Sequence, residues 1–325
     1  MMHSATLLLL TGSPTYLALP ALTIDGQFFR MRGERATIIE ASDFSLFKRF
    51  LDGEYMWPII EQRHAVGFNM LRVWLLNRSV VVHGGIHPDD YPHYYDQLAA
   101  FVDAVGMNVE LTVFTSTQGL MPDPTDQQTH LEKVANAVRG KPNVLLELVN
   151  ESDQYDNAPS EALVRPQGVL ISRGSNGAGA IPPHHDSPWD YECFHTNDLS
   201  EWQRKVGHNA MEKVANGSGK PCLSNENTRF VDNDASLAHA YDAAAGAALL
   251  CGGACYHSQA GKMSMLWEGV ELECAKQWVA GAKSVPLEFQ AGQYHHRSDL
   301  EDPTVIRVYD RQLPDGRAHV VKNRP

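Results

Sequence analysis

Apolar positions along the chain fall into short, nearly continuous runs separated by longer segments with helical spacing. The short runs predict strands at Thr37–Glu40, Asn69–Leu76, Asn108–Thr115, Val144–Asn150, Gly168–Ser172, Tyr191–His195, Pro221–Asn225 and Ala248–Tyr256. Helical patterns fall between most of them, at Tyr55–Val66, Tyr94–Val105, Thr125–Val138, Leu199–Ala215, Ala235–Ala245 and Met265–Ala280. Continuous apolar strands alternating with crossover helices predict a parallel sheet. Eight repeats of that unit predict closure into an α/β (β/α)8 TIM barrel. Two connections differ: Ser160–Val164 carries only a short helical pattern, and Arg173–Pro188, rich in Gly and Pro, predicts a long loop.

The flanks read differently. Leu7–Leu10, Tyr16–Leu22 and Phe28–Met31 predict β structure ahead of the barrel, and Val305–Tyr309 and Ala318–Val321 around Pro314-Asp315-Gly316 predict a hairpin after it. The expected organisation is an N-terminal β segment (1–35), a barrel (36–290) and a C-terminal extension (291–325). A chain of 325 residues with 43% hydrophobic and 20% charged residues suffices for a full core of this kind.

Charge and cysteine content narrow the classes. A net charge of -12 argues against nucleic acid, whose phosphates need clustered Lys and Arg. The five cysteines form no CxxC pair and no disulfide-type spacing, so buried reduced thiols are expected. Leu7–Leu10 resembles a signal-peptide core, but no Lys or Arg precedes it and Gly12, Ser13 and Pro14 interrupt it. No apolar stretch reaches the ~20 residues of a membrane span. A soluble chain is expected, cytoplasmic or carried on a larger assembly rather than secreted.

The chemistry gathers at strand ends. The fourth strand ends in Asn150-Glu151, the sixth in His195, the seventh runs into Glu226, and the eighth ends in Tyr256-His257. In a parallel barrel these tips share one face. The second strand carries Arg72 within an apolar run, which is costly unless a carboxylate answers it; Glu147, on the parity of Glu151, is a candidate partner.

Gly67, Asn69 and Arg72 form a GxNxxR element on the second strand, followed by Glu147-Leu148-Val149-Asn150-Glu151 and then Glu226. In this order they resemble the clan of retaining (β/α)8 glycoside hydrolases that includes cellulases, mannanases and β-galactosidases. The resemblance spans roughly residues 36–290. It implies that Glu151 is the general acid/base and Glu226 the nucleophile in cleavage of a β-linked saccharide. It also implies that Asn150 binds the sugar 2-hydroxyl and that His195 lines the sugar subsite or orients a carboxylate. An acid must hold its proton near neutral pH, whereas a nucleophile must stay ionised, which Arg72 would favour. Trp74, Trp189, Tyr256 and His257 complete the expected substrate-binding set, with aromatic faces for the apolar side of a sugar ring. The sequence departs from the clan at the eighth strand, where a Trp is common and Tyr256-His257 stand here, and Ser152 follows Glu151 where Pro is frequent.

No metal or cofactor is expected: adjacent histidines such as His184-His185 and His295-His296 point apart in extended chain, and no glycine-rich phosphate loop follows a strand. Asp43, just past the end of the first strand, is a weaker cleft candidate and reads first as a solvated loop or helix-capping residue. The competing functions are a barrel that binds carbohydrate without cleaving it and a metal-dependent barrel hydrolase.

Overall fold

The computed structural model describes residues 21–78, 84–154, 158–175, 188–195, 219–226, 234–291, 293–300 and 307–323. Its centre is a set of eight parallel strands: β4 (Ile38–Ser42), β5 (Met70–Trp74), β6 (Asn108–Phe114), β7 (Val144–Val149), β8 (Leu170–Gly174), β9 (Glu192–His195), β10 (Cys222–Glu226) and β11 (Gly253–Tyr256). They pair in the order β8-β7-β6-β5-β4-β11-β10-β9, so the first and last strands meet. The seam lies between β8 and β9, where a parallel bridge joins Ser172 to Tyr191. The sheet is therefore the expected barrel. No helix among the described residues is long and apolar enough to cross a membrane.

Helices α1 (Leu46–Leu51), α2 (Trp57–Val66), α3 (Tyr94–Val105), α4 (Thr117–Leu120), α5 (Pro124–Val138), α6 (Asp234–Leu250), α7 (Gln259–Lys262) and α8 (Gly269–Lys283) follow β4, β5, β6, β10 and β11. Their limits have local causes. Asp123 accepts a hydrogen bond from Thr125 N at 2.7 Å and Pro124 opens α5, an N-terminal arrangement that leaves fewer N–H groups unpaired. Gly67 ends α2 with φ 111°, a left-handed position that costs glycine little.

Two expectations need correction. Ser160–Val164 forms turns rather than a helix; one turn of apolar spacing cannot meet the cost of helix nucleation. Ala248–Leu250 belong to the end of α6, and β11 starts only at Gly253. Apolar periodicity alone does not separate a buried helix end from a buried strand. The expected helix at Leu199–Ala215, the segment Leu7–Leu10 and His184-His185 lie outside the described residues.

The barrel interior is layered. At its N-terminal end β1 (Leu22–Asp25) and β2 (Phe28–Met31), with β3 (Glu34–Arg35), form an antiparallel unit. Leu22 and Phe29 from this unit pack with Ile38, Met70, Leu145, Tyr191, Cys193 and Leu223 as an apolar plug. Above the plug lies a charged layer of Glu40, Arg72, Glu110 and Glu147, all fully buried. Barrel interiors are usually filled by branched apolar side chains, so this layer is an energetic cost that demands internal pairing. Near the C-terminus of the chain, β12 (Gln293–His296), β13 (Arg307–Gln312) and β14 (Ala318–Asn323) form a separate antiparallel sheet. Arg311 anchors it by donating to Leu249 O and Leu250 O, the last carbonyls of α6.

Candidate active site

The three residues of the GxNxxR element have three separate jobs. Gly67 ends α2. Asn69 ties β4 to β5, accepting from Ile39 N at 2.8 Å and donating to Thr37 O at 2.9 Å. Arg72 reaches into the barrel axis, where its guanidinium is the hub of the charged layer. Its Nη2 lies 2.7 Å from Glu147 Oε2 and 2.7 Å from Asn150 Oδ1, and its Nη1 lies 2.9 Å from Glu226 Oε2. Glu147 is thus the partner that strand parity indicated, and Thr112 Oγ1 donates to the same oxygen at 2.6 Å.

Glu226 arrives through an irregularity. β10 pairs Ser224 with Phe194 but Glu226 with His195, leaving Asn225 as an extra residue. A bulge of this kind re-aims the side chains around it. Asn225 Nδ2 turns to Glu110 Oε2 (3.0 Å) and Glu147 Oε1 (2.9 Å), while Glu226 sits opposite His195. Burial works against a charge on Glu226, but His257, His195 and Arg72 outweigh it and hold the carboxyl at about 2. It is ionised throughout the physiological range.

Glu151 lies just past β7 with φ 50°, a conformation few non-glycine residues adopt. Gly174 makes room for this tip: a Cβ there would lie 1.9 Å from Val149 O. Glu151 Oε1 is 3.6 Å from His195 Nδ1, which is in turn 3.7 Å from Glu226 Oε2. Glu151, His195 and Glu226 bring one donor atom each to within 4.8 Å of one another. The two carboxylate side chains are 14% and 11% exposed, open to the cleft but largely shielded. His195 is oriented from behind by Ser175 Oγ, 2.6 Å from its Nε2. Burial disfavours its imidazolium, yet the facing Glu226 and Glu151 raise its pKa above the ordinary value. A cation in this triad would meet the Arg72 guanidinium already seated on Glu226 Oε2.

His257, past the end of β11, places Nε2 3.5 Å from Glu226 Oε1. Trp74 stacks on Phe44 with ring centroids 4.0 Å apart, and Phe44 also contacts His257. The Trp74 indole N–H has no hydrogen-bond partner among the described residues.

Seven of the nine expected site residues therefore converge: Arg72, Trp74, Asn150, Glu151, His195, Glu226 and His257. Tyr256 and Trp189 do not join them. Tyr256 is fully buried among Phe68, Trp267 and Trp278 and donates to Glu271 O at 3.0 Å, on the helix side of β11. Strand alternation sends neighbours to opposite faces, so seating His257 inward turns Tyr256 outward. Trp189 precedes β9 and so lies at the opposite end of that strand from His195. Asp43 is neither solvated nor a helix cap; it is buried and paired with Arg63 at 3.0 and 3.1 Å, and Arg63 lies over Trp267.

Glu40 and Glu110 were not anticipated. Glu110 accepts from Tyr191 Oη at 2.8 Å, and burial together with Glu147 pushes its pKa up to about 7. Glu40 is raised well above the ordinary carboxylate range by burial and by Glu110. The signal for both was available: each is an acid inside an otherwise apolar strand, the same pattern that singled out Arg72.

No family model and no curated protein matches the sequence. Solved structures do match in three dimensions. A glycoside hydrolase superposes with TM-score 0.62 at 12% identity, covering 94% of this chain and 93% of its own. A glycoside hydrolase family 5 protein from Bacteroides vulgatus gives 0.58 at 11% identity, covering 90% and 78%. An endo-1,4-beta-mannanase from Rhizomucor miehei gives 0.57 at 11% identity, covering 81% and 99%. The chain shares its barrel fold with these glycoside hydrolases, and at this identity the likeness concerns the fold alone.

Proposed function

We propose that this chain is a retaining glycoside hydrolase acting on a β-linked saccharide, with Glu226 as nucleophile and Glu151 as general acid/base. Residues 36–290 would be its catalytic barrel, flanked by the 1–35 and 291–325 extensions. The observation that carries this reading is the approach of Glu151 and Glu226 oxygens to within 4.8 Å. Retaining enzymes place the two carboxyls ~5–5.5 Å apart, whereas inverting enzymes need ~6.5–9.5 Å to admit a water.

In this reading the two carboxyls act in sequence. Glu226, held ionised, attacks the anomeric carbon as Glu151 gives its proton to the departing glycosidic oxygen. The bond to the leaving group breaks and an ester bond to Glu226 forms. Water then enters, Glu151 takes its proton, and the attacking oxygen displaces Glu226 as a carboxylate. His195, between the two acids, orients both. Asn150 accepts from Arg72 through Oδ1, and in this reading it binds the sugar 2-hydroxyl. The partly exposed Trp74 ring would stack on the apolar face of a sugar.

The test is turnover of a panel of aryl β-glycosides and β-linked oligosaccharides. Glu226→Ala should abolish it, and unchanged turnover would refute the nucleophile. Glu151→Ala should lower turnover by ~10²–10⁴-fold for poor leaving groups, with partial recovery by azide on 2,4-dinitrophenyl substrates. Binding without any turnover would instead mark a non-catalytic carbohydrate-binding barrel.

A further inference from the structure

Tyr256-His257 stand at the end of the eighth strand, where the clan this sequence resembles commonly carries a tryptophan, and the surroundings of His257 are specific. The β4–β11 pairing brings Ser42, Cys255 and His257 together behind Glu226. Ser42 Oγ lies 3.0 Å from His257 Nδ1 and 3.3 Å from Cys255 Sγ, with all three residues essentially inaccessible to solvent. On the other side of the ring, Nε2 faces Glu226 Oε1 at 3.5 Å. The second Glu226 oxygen, Oε2, accepts from Arg72 at 2.9 Å.

We propose that His257 is a positioning residue for Glu226, oriented by Ser42 so that its Nε2 carries a proton toward Oε1. This rests on the reading of Glu226 as nucleophile. Two donors then grip separate oxygens of one carboxylate, which fixes its rotation and the lone pair it presents. The same two donors receive the charge that returns to Glu226 when the glycosyl ester is hydrolysed, as a preorganised site should. The 3.5 Å separation is ion-pair spacing, and catalytic contacts commonly tighten around substrate.

The proton's place on Nε2 follows from what faces each nitrogen. A bare Nε2 lone pair turned on an ionised carboxylate would repel it. Ser42 serves either protonation state that avoids this. Its hydroxyl donates to Nδ1 of a neutral ring, or its oxygen accepts Nδ1–H from an imidazolium. Burial and the neighbouring Glu40 keep Cys255 a thiol, with its Sγ 3.3 Å from Ser42 Oγ. Among the described residues, the other groups facing Glu226 are Arg72 from β5 and His195 from β9, with Glu151 beyond His195 and with Glu147 and Glu110 reaching it through Arg72 and Asn225. Burial opposes the Glu226 charge, and His257 leads the groups that overcome it.

The experiment is an NMR titration of the unliganded protein carrying 13C-labelled glutamate carboxyls and 15N-labelled histidine. Glu226 is assigned by loss of its signal in Glu226→Gln. His257→Phe should raise the Glu226 midpoint by about one pH unit, a tenfold gain in proton affinity. Ser42→Ala should move it the same way by less, and wild-type His257 should show a protonated Nε2. An unchanged Glu226 midpoint in His257→Phe, or a His257 bearing its proton on Nδ1 alone, overturns the proposal. His257→Asn serves if the phenylalanine variant does not fold. Unchanged turnover in Glu226→Ala would sink the nucleophile assignment while leaving this titration as it stands, so the two failures are separable.

Discussion

At the scale of single residues, the tip of β7 is a place where backbone conformation and chemistry meet. Glu151 occupies φ 50° and is followed by Ser152, whose N donates to Ser175 O at 3.0 Å. Residues held in such conformations persist only when their surroundings impose them. Gly174 is part of that surrounding, with φ 99° and no space for a Cβ against Val149 O. Gly174→Ala should therefore destabilise the protein by more than ~1 kcal/mol. It should also reduce turnover, because Val149 leads directly into Asn150 and Glu151. Chemical denaturation paired with glycoside turnover checks this; a variant as stable and active as wild type would show that the strand tip relaxes freely.

At the scale of elements, the N-terminal β unit closes the barrel floor. Phe29 meets Tyr191 edge to face at 5.8 Å, and Tyr191 in turn donates to Glu110 Oε1 and Leu146 O. The apolar plug thus lies directly beneath the charged layer and shields it from water. Phe29→Ala should cost ~3–5 kcal/mol, the range for removing a large buried aromatic. The measurement is the urea midpoint; a loss under ~1 kcal/mol would mean that the unit only rests on the barrel. Strand and helix positions were largely legible because burial enforces their periodicity. Ala248–Leu250 was misassigned because a helix end buried against the barrel is as uniformly apolar as a strand. The β10 bulge left no local trace, since its cause is pairing with β9.

At the scale of the whole molecule, Glu110 makes stability depend on pH in an unusual direction. Folding raises its pKa from 4.5 to about 7, with burial and then Glu147 as the causes. A group that binds its proton more tightly when folded contributes stability below its unfolded pKa and loses it as pH rises through the folded one. Glu110 should therefore withdraw ~3 kcal/mol between about pH 4.5 and 7, and Glu40, raised in the same direction, adds to the trend. Glu226 acts oppositely, and only at lower pH: its depressed pKa gives stability above about 4.5 that is lost as pH falls toward about 2. The thermal midpoint should thus fall from pH 5 to pH 8, and Glu110→Gln should flatten that decline. A midpoint rising steadily across this range in the wild type would contradict the account.

The linear chain determined the barrel and the residues at its strand tips, because both are written in local periodicity: buried parallel strands are continuously apolar, and a polar residue ending one is conspicuous. Arg72, Glu151 and Glu226 stood out on that ground alone. Which acids share one guanidinium, which face of β11 carries His257 rather than Tyr256, and which end of β9 holds Trp189 were decided only by closure of the sheet. Closure sets strand register and rotation, and these bring together side chains far apart in sequence, such as Ser42 and His257, on the two strands whose pairing completes the barrel.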